Sequence, residues 1–236
     1  MSQETSQTPV VLLPGLLCDD SIWQPQVSGL PQADVIAIQG YGRSNTFGAM
    51  AEHVLAQAPA RFALAGHSMG GRVALEVIRQ APERVVKLAL LDTGVHPLRP
   101  GERDKRMALV RLGRERGIEA LVDAWLPPMV HPARRNDASL MEPLRSMCIR
   151  AGLEQFENQV AALLSRPDAT PQLAQITCPT LVAVGRQDEW SPPEQHEEIA
   201  AGLPDAHLVV FEDTGHMSTV ESPDQVTAAL AAWLEV

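Results

Sequence analysis

The chain has 236 residues, of which 45% are hydrophobic and 20% charged, as is usual for one globular domain with a substantial core. Its formal net charge of -10 argues against nucleic acid or an anionic membrane as a partner, because both require a concentrated basic surface. The cysteines, Cys18, Cys148 and Cys178, have neither metal-ligand nor redox-motif spacing, which favours free thiols in a reducing compartment. Residues 1–8 lack the basic start and apolar run of a secretory signal, and no apolar run is long enough to span a membrane, so we expect a cytoplasmic protein.

In chain order, six short runs of aliphatic residues have the continuous apolar character of strands in a parallel sheet that is covered on both faces. They are Pro9–Leu13, Asp34–Ile38, Arg61–Ala65, Val85–Leu91, Thr180–Val184 and His207–Phe211. Helical patterns lie between them, at Phe47–Ala58, Gly71–Gln80, Pro193–Leu203 and Pro223–Leu234. The alternation predicts an α/β fold with a doubly wound, mostly parallel sheet of about six strands.

The segment 96–175 breaks this alternation, because it contains helical patterns and no convincing strand. The patterns cover 102–116, 118–126, 137–149 and 153–165. Since a crossover between parallel strands needs only about a dozen residues, we expect this insertion to form a helical cap, or lid, over a core domain made of 1–95 and 176–236. The alternative is that its helices extend the core layer. Its arginine-rich stretch, Arg99–Arg116, is interrupted by acidic residues and is interpreted as a solvated helix face.

A candidate nucleophile lies in Gly66-His67-Ser68-Met69-Gly70-Gly71, between the third strand and the following helix. A serine at a sharp strand-to-helix turn requires small neighbours, and the turn directs its Oγ and the first helix amides towards one point. The five-residue motif alone is weak, but its position between strand and helix makes Ser68 a strong candidate.

A serine hydroxyl needs a histidine base that is oriented by a carboxylate. His216 follows the last strand, where its loop can reach the carboxyl edge of the sheet, and His96 is a weaker candidate. Asp188 follows the fifth strand and Asp92 ends the fourth; both fit the order nucleophile, acid, histidine. We favour Asp188, because its loop is expected beside that of His216. His67 is interpreted as a packing or supporting group.

The turn Leu13-Pro14-Gly15-Leu16-Leu17 ends the first strand, and Gly15 allows the backbone to pass over the serine. We expect the amides of Leu16 and Met69 to form an oxyanion hole; the alternative is an ordinary turn.

The pocket is harder to predict. Trp23, Trp125 and Met129 are candidates to line an apolar pocket under the lid, although such residues also fill cores. No evident cluster of basic residues is placed to bind a substrate carboxylate. Arg43 is the one candidate, and we interpret it as a solvated arginine.

Together, Gly66-His67-Ser68-Met69-Gly70-Gly71, Val184-Gly185-Arg186-Gln187-Asp188 and Gly215-His216 resemble the α/β-hydrolase fold superfamily. The resemblance implies acyl transfer to Ser68 followed by hydrolysis, with no metal and no organic cofactor. Two features differ from most members: Pro14 stands where they have histidine, and only about eight residues precede the first strand, so the N-terminal hairpin is expected to be absent. The resulting sheet edge is a candidate for contact with a second copy in a homodimer.

The function predicted is hydrolysis of small carboxylic esters through an acyl-enzyme on Ser68. A lactone hydrolase or a carbon–carbon bond hydrolase with the same triad is the alternative, and a ligand receptor or pseudoenzyme is the third hypothesis. Dehalogenases and epoxide hydrolases are disfavoured, because they use an aspartate where this chain has Ser68. The expected partner is a small-molecule ester or lactone.

Overall fold

The computed structural model describes residues 8–236, so the prediction for the first seven residues lies outside the described part of the chain. Six strands form one sheet in which every neighbouring pair is parallel, in the order β2-β1-β3-β4-β5-β6. They are β1 (Val10–Leu13), β2 (Val35–Ala37), β3 (Phe62–His67), β4 (Val85–Leu91), β5 (Thr180–Gly185) and β6 (Ala206–Phe211). This confirms the predicted α/β class and strand number.

Eight α-helices accompany these strands in the described part of the chain. They are α1 (Gln24–Gly29), α2 (Phe47–Leu55), α3 (Met69–Gln80), α4 (Glu102–Trp125), α5 (Ala138–Leu164), α6 (Pro193–Gly202), α7 (Ser218–Glu221) and α8 (Pro223–Glu235). Helix α1 packs against α8 and α2 against α3, while α3 and α8 also contact the sheet. None of the helices within residues 8–236 is both long and apolar enough to cross a membrane.

The strand order places a topological switch point between β1 and β3. The chain moves from β1 to one side to form β2 and then crosses to the other side to form β3. Leu13 pairs with Gly66, and His67 pairs with Leu91, so these strands end at the same edge of the sheet. In open α/β sheets, ligands bind at the carboxyl edge where the strand order reverses.

Between β4 and β5 the chain forms two long helices, α4 and α5, which pack on each other. Each bends at one glycine with a positive φ, 86° at Gly117 and 79° at Gly152, a conformation that other residues rarely adopt. These bends coincide with the breaks between the helical patterns of the sequence. The arrangement is compatible with the predicted lid.

The last residue of β5, Gly185, lies against the backbone of the loop that follows β6. A Cβ atom at Gly185 would lie 2.2 Å from the carbonyl oxygen of Gly215, the residue before His216. Only glycine permits this approach, so the Gly185 position controls where the His216 loop can lie.

We expect Gly185→Ala to destabilise the fold by about 1–3 kcal/mol or more, because the added methyl group overlaps backbone that must move. Gly40→Ala is the matched control, since a Cβ at Gly40 meets no atom within 4 Å, and its effect should stay within about 0.5 kcal/mol. Denaturant unfolding of both variants measures the difference, and equal midpoints would contradict the assigned role of Gly185.

Candidate active site

Ser68 occupies a strained turn between β3 and α3. Its backbone has φ 55° and ψ -117°, outside the regions that non-glycine residues usually adopt. A Cβ at Gly66 would lie 2.3 Å from the carbonyl oxygen of Gly70, which explains the need for glycine on this side of the serine. The turn is held by Ser68 N–H, which donates to Leu91 O at 2.8 Å, and by Thr93 Oγ1, which donates to Ser68 O at 2.7 Å.

The structure brings Ser68, His216 and Asp188 together. His216 Nε2 lies 2.7 Å from Ser68 Oγ, and His216 Nδ1 lies 2.7 Å from Asp188 Oδ2. Because the carboxylate only accepts, Nδ1 carries the proton, and Nε2 is left to accept from the serine hydroxyl. The predicted nucleophile, base and acid therefore form one continuous chain of hydrogen bonds.

The two candidate acids have different surroundings. Asp188 Oδ1 accepts from the amides of Trp190 and Ser191, both at 2.8 Å, which leaves Oδ2 directed at His216. Asp92 is fully buried; it accepts from the Gly185 amide at 2.9 Å and from the Ser218 hydroxyl. Asp188 is thus the carboxylate that contacts the histidine, and Asp92 joins the strand ends to α7.

The backbone of His216 is held on both sides. His67 Nε2–H donates to His216 O at 2.7 Å, and His216 N–H donates to Met129 O at 2.9 Å. Met129 belongs to the helical insertion, which therefore contributes directly to the position of His216. His67 is completely buried beside the serine, as its interpretation as a supporting group requires.

Glu221 is a residue of this site that sequence reasoning missed. Its buried carboxylate accepts from the amides of His131 at 2.8 Å and Met217 at 3.0 Å, and so ties the insertion to the histidine loop. An acidic residue in a short helix carries no pattern that distinguishes it from a solvated one, so no sequence signal was available.

The site controls the protonation of its histidines. Burial alone would lower the pKa of His216, but the charge and hydrogen bond of Asp188 outweigh it, with smaller contributions from Asp92 and Glu221, and raise the pKa above 6.5. Burial, and then the charge of His216, lowers the pKa of His67 to about 3. His67 is therefore neutral at physiological pH, so its Nε2–H donates as a neutral group.

The amides predicted as an oxyanion hole lie beside the serine. Met69 is the first residue of α3, where amides have no acceptor within the helix, and the Leu16 amide has no backbone acceptor within residues 8–236. The backbone of Gly15 approaches Ser68 closely, since a Cβ at Gly15 would lie 3.2 Å from Ser68 Cβ. Both amides are free to donate to a bound oxygen.

A cavity of about 300 Å³ opens over the serine. Trp125 and Met129 line it, as expected, together with Leu16 and Met69. Trp23 does not line it: its side chain is fully buried and packs edge-on against the His67 ring, with 6.5 Å between centroids. Trp23 therefore supports the site from the core side, which corrects its proposed place in the pocket.

The expectation that no basic cluster lies at the pocket is wrong. Five basic side chains line the cavity, one from α3 and four from the helical insertion: Arg72, Arg99, Lys105, Arg106 and Arg166. The stretch interpreted as a solvated face contains Arg106, which is only 8% exposed. Arg43, in contrast, is an exposed partner of Glu154 at 3.2 Å and does not line this cavity.

Within residues 8–236, no group of three or more histidine, cysteine, aspartate or glutamate side chains is placed to hold a metal ion. The chemistry that this arrangement can perform is nucleophilic attack by Ser68 assisted by His216.

In sequence and in fold, this chain is similar to proteins named as hydrolases and esterases. The sequence model of the Alpha/beta hydrolase family matches residues 10–230. A pimeloyl-(acyl-carrier protein) methyl ester esterase from Nitrosomonas europaea is 26% identical over 238 residues, which cover 94% of each chain. An (E)-2-((N-methylformamido)methylene)succinate hydrolase from Acinetobacter baylyi is 27% identical over 96% of this chain and 90% of its own. A thermophilic esterase from Thermogutta terrifontis, solved with malate bound, has 30% identity and a TM-score of 0.87 over 97% of this chain and 89% of its own.

We expect NMR titration to show a His216 imidazole that deprotonates above pH 6.5 and a His67 ring that stays neutral down to about pH 3. Asp188→Asn should lower the His216 pKa, because it removes the charge that favours the imidazolium. Glu212→Gln, at an exposed carboxylate paired with Arg186, should leave it unchanged. A His216 pKa that is insensitive to Asp188→Asn would contradict the assigned pairing.

Proposed function

Because the chain belongs to the alpha/beta hydrolase family, we propose that it is a serine hydrolase that cleaves small carboxylic esters through an acyl-enzyme on Ser68. The observation that carries this proposal is the hydrogen-bonded chain from Ser68 Oγ through His216 to Asp188, with 2.7 Å at each step. Ser68 and His216 line a cavity large enough for a small ester.

In the first step, Ser68 Oγ attacks the ester carbonyl carbon while its proton passes to His216 Nε2. The imidazolium that forms is stabilised by the negative charge of Asp188, which keeps the proton on Nδ1. The raised pKa of His216 favours this proton transfer.

The carbonyl oxygen becomes an oxyanion in the tetrahedral intermediate. The amides of Leu16 and Met69 would donate to it, helped by the partial positive charge at the N-terminus of the 12-residue helix α3. Such donors are effective because they are held in place before the charge develops.

His216 then returns its proton to the departing alkoxide, and the carbon–oxygen bond of the ester breaks. Water enters and gives a proton to His216 as it attacks the acyl-enzyme; His216 protonates Ser68 Oγ as the acid is released. These steps require no metal ion and no organic cofactor.

We further propose that residues 96–175 act as a lid that shapes the acyl pocket. Trp125 and Met129 in this segment line the cavity, and Met129 O holds the His216 amide. A lid connected to the base in this way would couple closure of the pocket to the position of the histidine.

Ser68→Ala should reduce kcat by about a millionfold while the protein stays folded, because it removes the atom that forms the acyl bond. Turnover of p-nitrophenyl esters of increasing chain length measures the loss. A fluorophosphonate should label Ser68, as located by mass spectrometry. Labelling of another residue, or unchanged turnover in the variant, would sink the proposed mechanism. Lactones and carbon–carbon bond substrates in the same panel separate the alternative activities.

Asp188→Asn should reduce kcat by about ten-thousandfold, because it favours the wrong imidazole tautomer. Asp92→Asn is the matched control, because the Asp92 side chain binds the Gly185 amide and the Ser218 hydroxyl rather than the His216 ring. We expect it to change kcat by less than about tenfold. The opposite ranking, with the larger loss in Asp92→Asn, would assign the acid to Asp92.

A further inference from the structure

One wall of the cavity above Ser68 is strongly cationic in a chain whose net charge is -10. Five basic side chains line this cavity. Besides Asp92, the carboxylates in its lining are Glu102 and Glu189. Glu189 pairs with Arg135 at 3.1 Å, which leaves Glu102 as the carboxylate that faces the cationic wall. A narrow site with an excess of one charge attracts ligands of the opposite charge.

Two of the arginines are already paired. Glu102 accepts from Arg166 Nη1 at 2.8 Å and Nη2 at 2.5 Å, and from Arg106 Nε at 2.8 Å. Arg166 also donates to the carbonyl oxygens of His96, Pro97 and Leu163. These bonds fix Arg106 and Arg166 as a rigid frame, and one carboxylate cannot neutralise both charges.

Arg72 is different. In the described part of the chain, no carboxylate oxygen lies within 4.0 Å of the Arg72 guanidinium. Within residues 8–236, its side chain makes one hydrogen bond to the protein, in which Nη1 donates to His96 O at 3.1 Å. A guanidinium has five N–H donors, so most of the donors of Arg72 are unused. Burial, and then the charge of Arg166, lowers the pKa of Arg72 to about 9, so the side chain is still charged at neutral pH. Arg72 is half-buried, and Glu102, the carboxylate whose charge acts on it, is already bound by Arg106 and Arg166. A ligand carboxylate at Arg72 would therefore supply a counterion that the protein provides only at a distance.

Gly94 and His96 pack beside Arg72 and bring no charge to it at neutral pH. A Cβ at Gly94 would lie 3.0 Å from Arg72 Nη2, so the absence of a side chain there accommodates the guanidinium. His96 lies beside the Arg72 guanidinium. Burial together with the Arg72 charge lowers the pKa of His96 to about 4, so its imidazole is uncharged at neutral pH and does not repel the guanidinium.

Arg72 and the nucleophile share one element. Ser68 caps α3 and Arg72 lies four residues later, about one helical turn or 6 Å along the axis, and both side chains line the same cavity. A molecule with its reacting carbonyl at Ser68 can therefore place an anionic group at Arg72 a few bonds away.

Resting on the proposed hydrolase function, we propose that Arg72 binds a free carboxylate on the acyl portion of the substrate, so that the preferred substrates are half-esters of short dicarboxylic acids. Arg106 and Arg166 hold the positive potential around it without binding the carboxylate themselves. Two forked N–H bonds from the guanidinium match the geometry of a carboxylate and orient the ester carbonyl towards Ser68.

The test compares 4-nitrophenyl hemiglutarate with 4-nitrophenyl 5-methylhexanoate, in which an uncharged isopropyl group replaces the carboxylate. After subtraction of the uncatalysed rates, kcat/KM should favour the anionic ester. Arg72→Met should lower kcat/KM for the anionic ester by about tenfold to a hundredfold, mainly through KM, and change the neutral ester less than about threefold. Arg43→Met, at the exposed arginine paired with Glu154, should leave the ratio unchanged. An unchanged ratio in Arg72→Met, or a wild-type preference for the neutral ester, would overturn the proposal.

A binding measurement separates this proposal from the proposed hydrolysis. Calorimetry with glutarate should detect binding to the wild-type protein and to Ser68→Ala, and no binding of glutaramide, its neutral analogue. If glutarate binds but Ser68→Ala retains ester turnover, the anion site stands and the mechanism fails. If Ser68→Ala abolishes turnover but glutarate does not bind, the hydrolase stands and the anion site is refuted. The wild-type titrations decide this even if Arg72→Met does not fold.

Discussion

The catalytic arrangement depends on the contact between two strand ends, β5 and β6, which brings the backbone before His216 against Gly185. His216 itself lies in a loop without regular structure, so its place is set by what surrounds it. His67 holds its carbonyl group, Met129 its amide and Asp188 its ring. A displacement of about an ångström at any of these contacts would move Nε2 away from Ser68 Oγ and weaken the proton transfer substantially.

Burial has different consequences for the ionisable groups of this site. His67, buried next to another imidazole, is kept neutral and serves as a fixed donor. His216 is equally buried, but the adjacent carboxylate of Asp188 reverses the effect of burial on its pKa. The same desolvation thus produces a neutral support and an activated base. The difference is that His216 Nδ1 donates directly to the Asp188 carboxylate, whereas His67 Nε2 donates to a neutral carbonyl oxygen.

The helical insertion contributes to the site in two ways. It supplies Met129 O, which accepts from the His216 amide, and the His131 amide, which donates to Glu221; it also supplies most of the cationic wall. The position of His216 and the charge of the substrate pocket therefore both depend on the insertion, residues 96–175. Replacement of its helices during evolution would be expected to change both together.

The sequence by itself determined the features that depend on neighbouring residues. The six strands, the breaks between the helical patterns of the insertion and the turn at Ser68 follow from local patterns of apolar residues, glycine and proline, because backbone conformation is largely a local property. The order of the motifs and the shared carboxyl edge of a parallel sheet were enough to favour Asp188 over Asp92, as the geometry does.

Only the tertiary structure decided which side chains meet across long separations. Contacts between segments distant in sequence include Glu221 with the His131 amide, Trp23 with His67, and Arg166 with Glu102. Arg72 is plainly visible four residues after Ser68, but a local sequence does not show whether a cation has a carboxylate partner. That depends on folding of the whole chain, because the burial and pairing of a charge are set by groups that the backbone brings together from elsewhere.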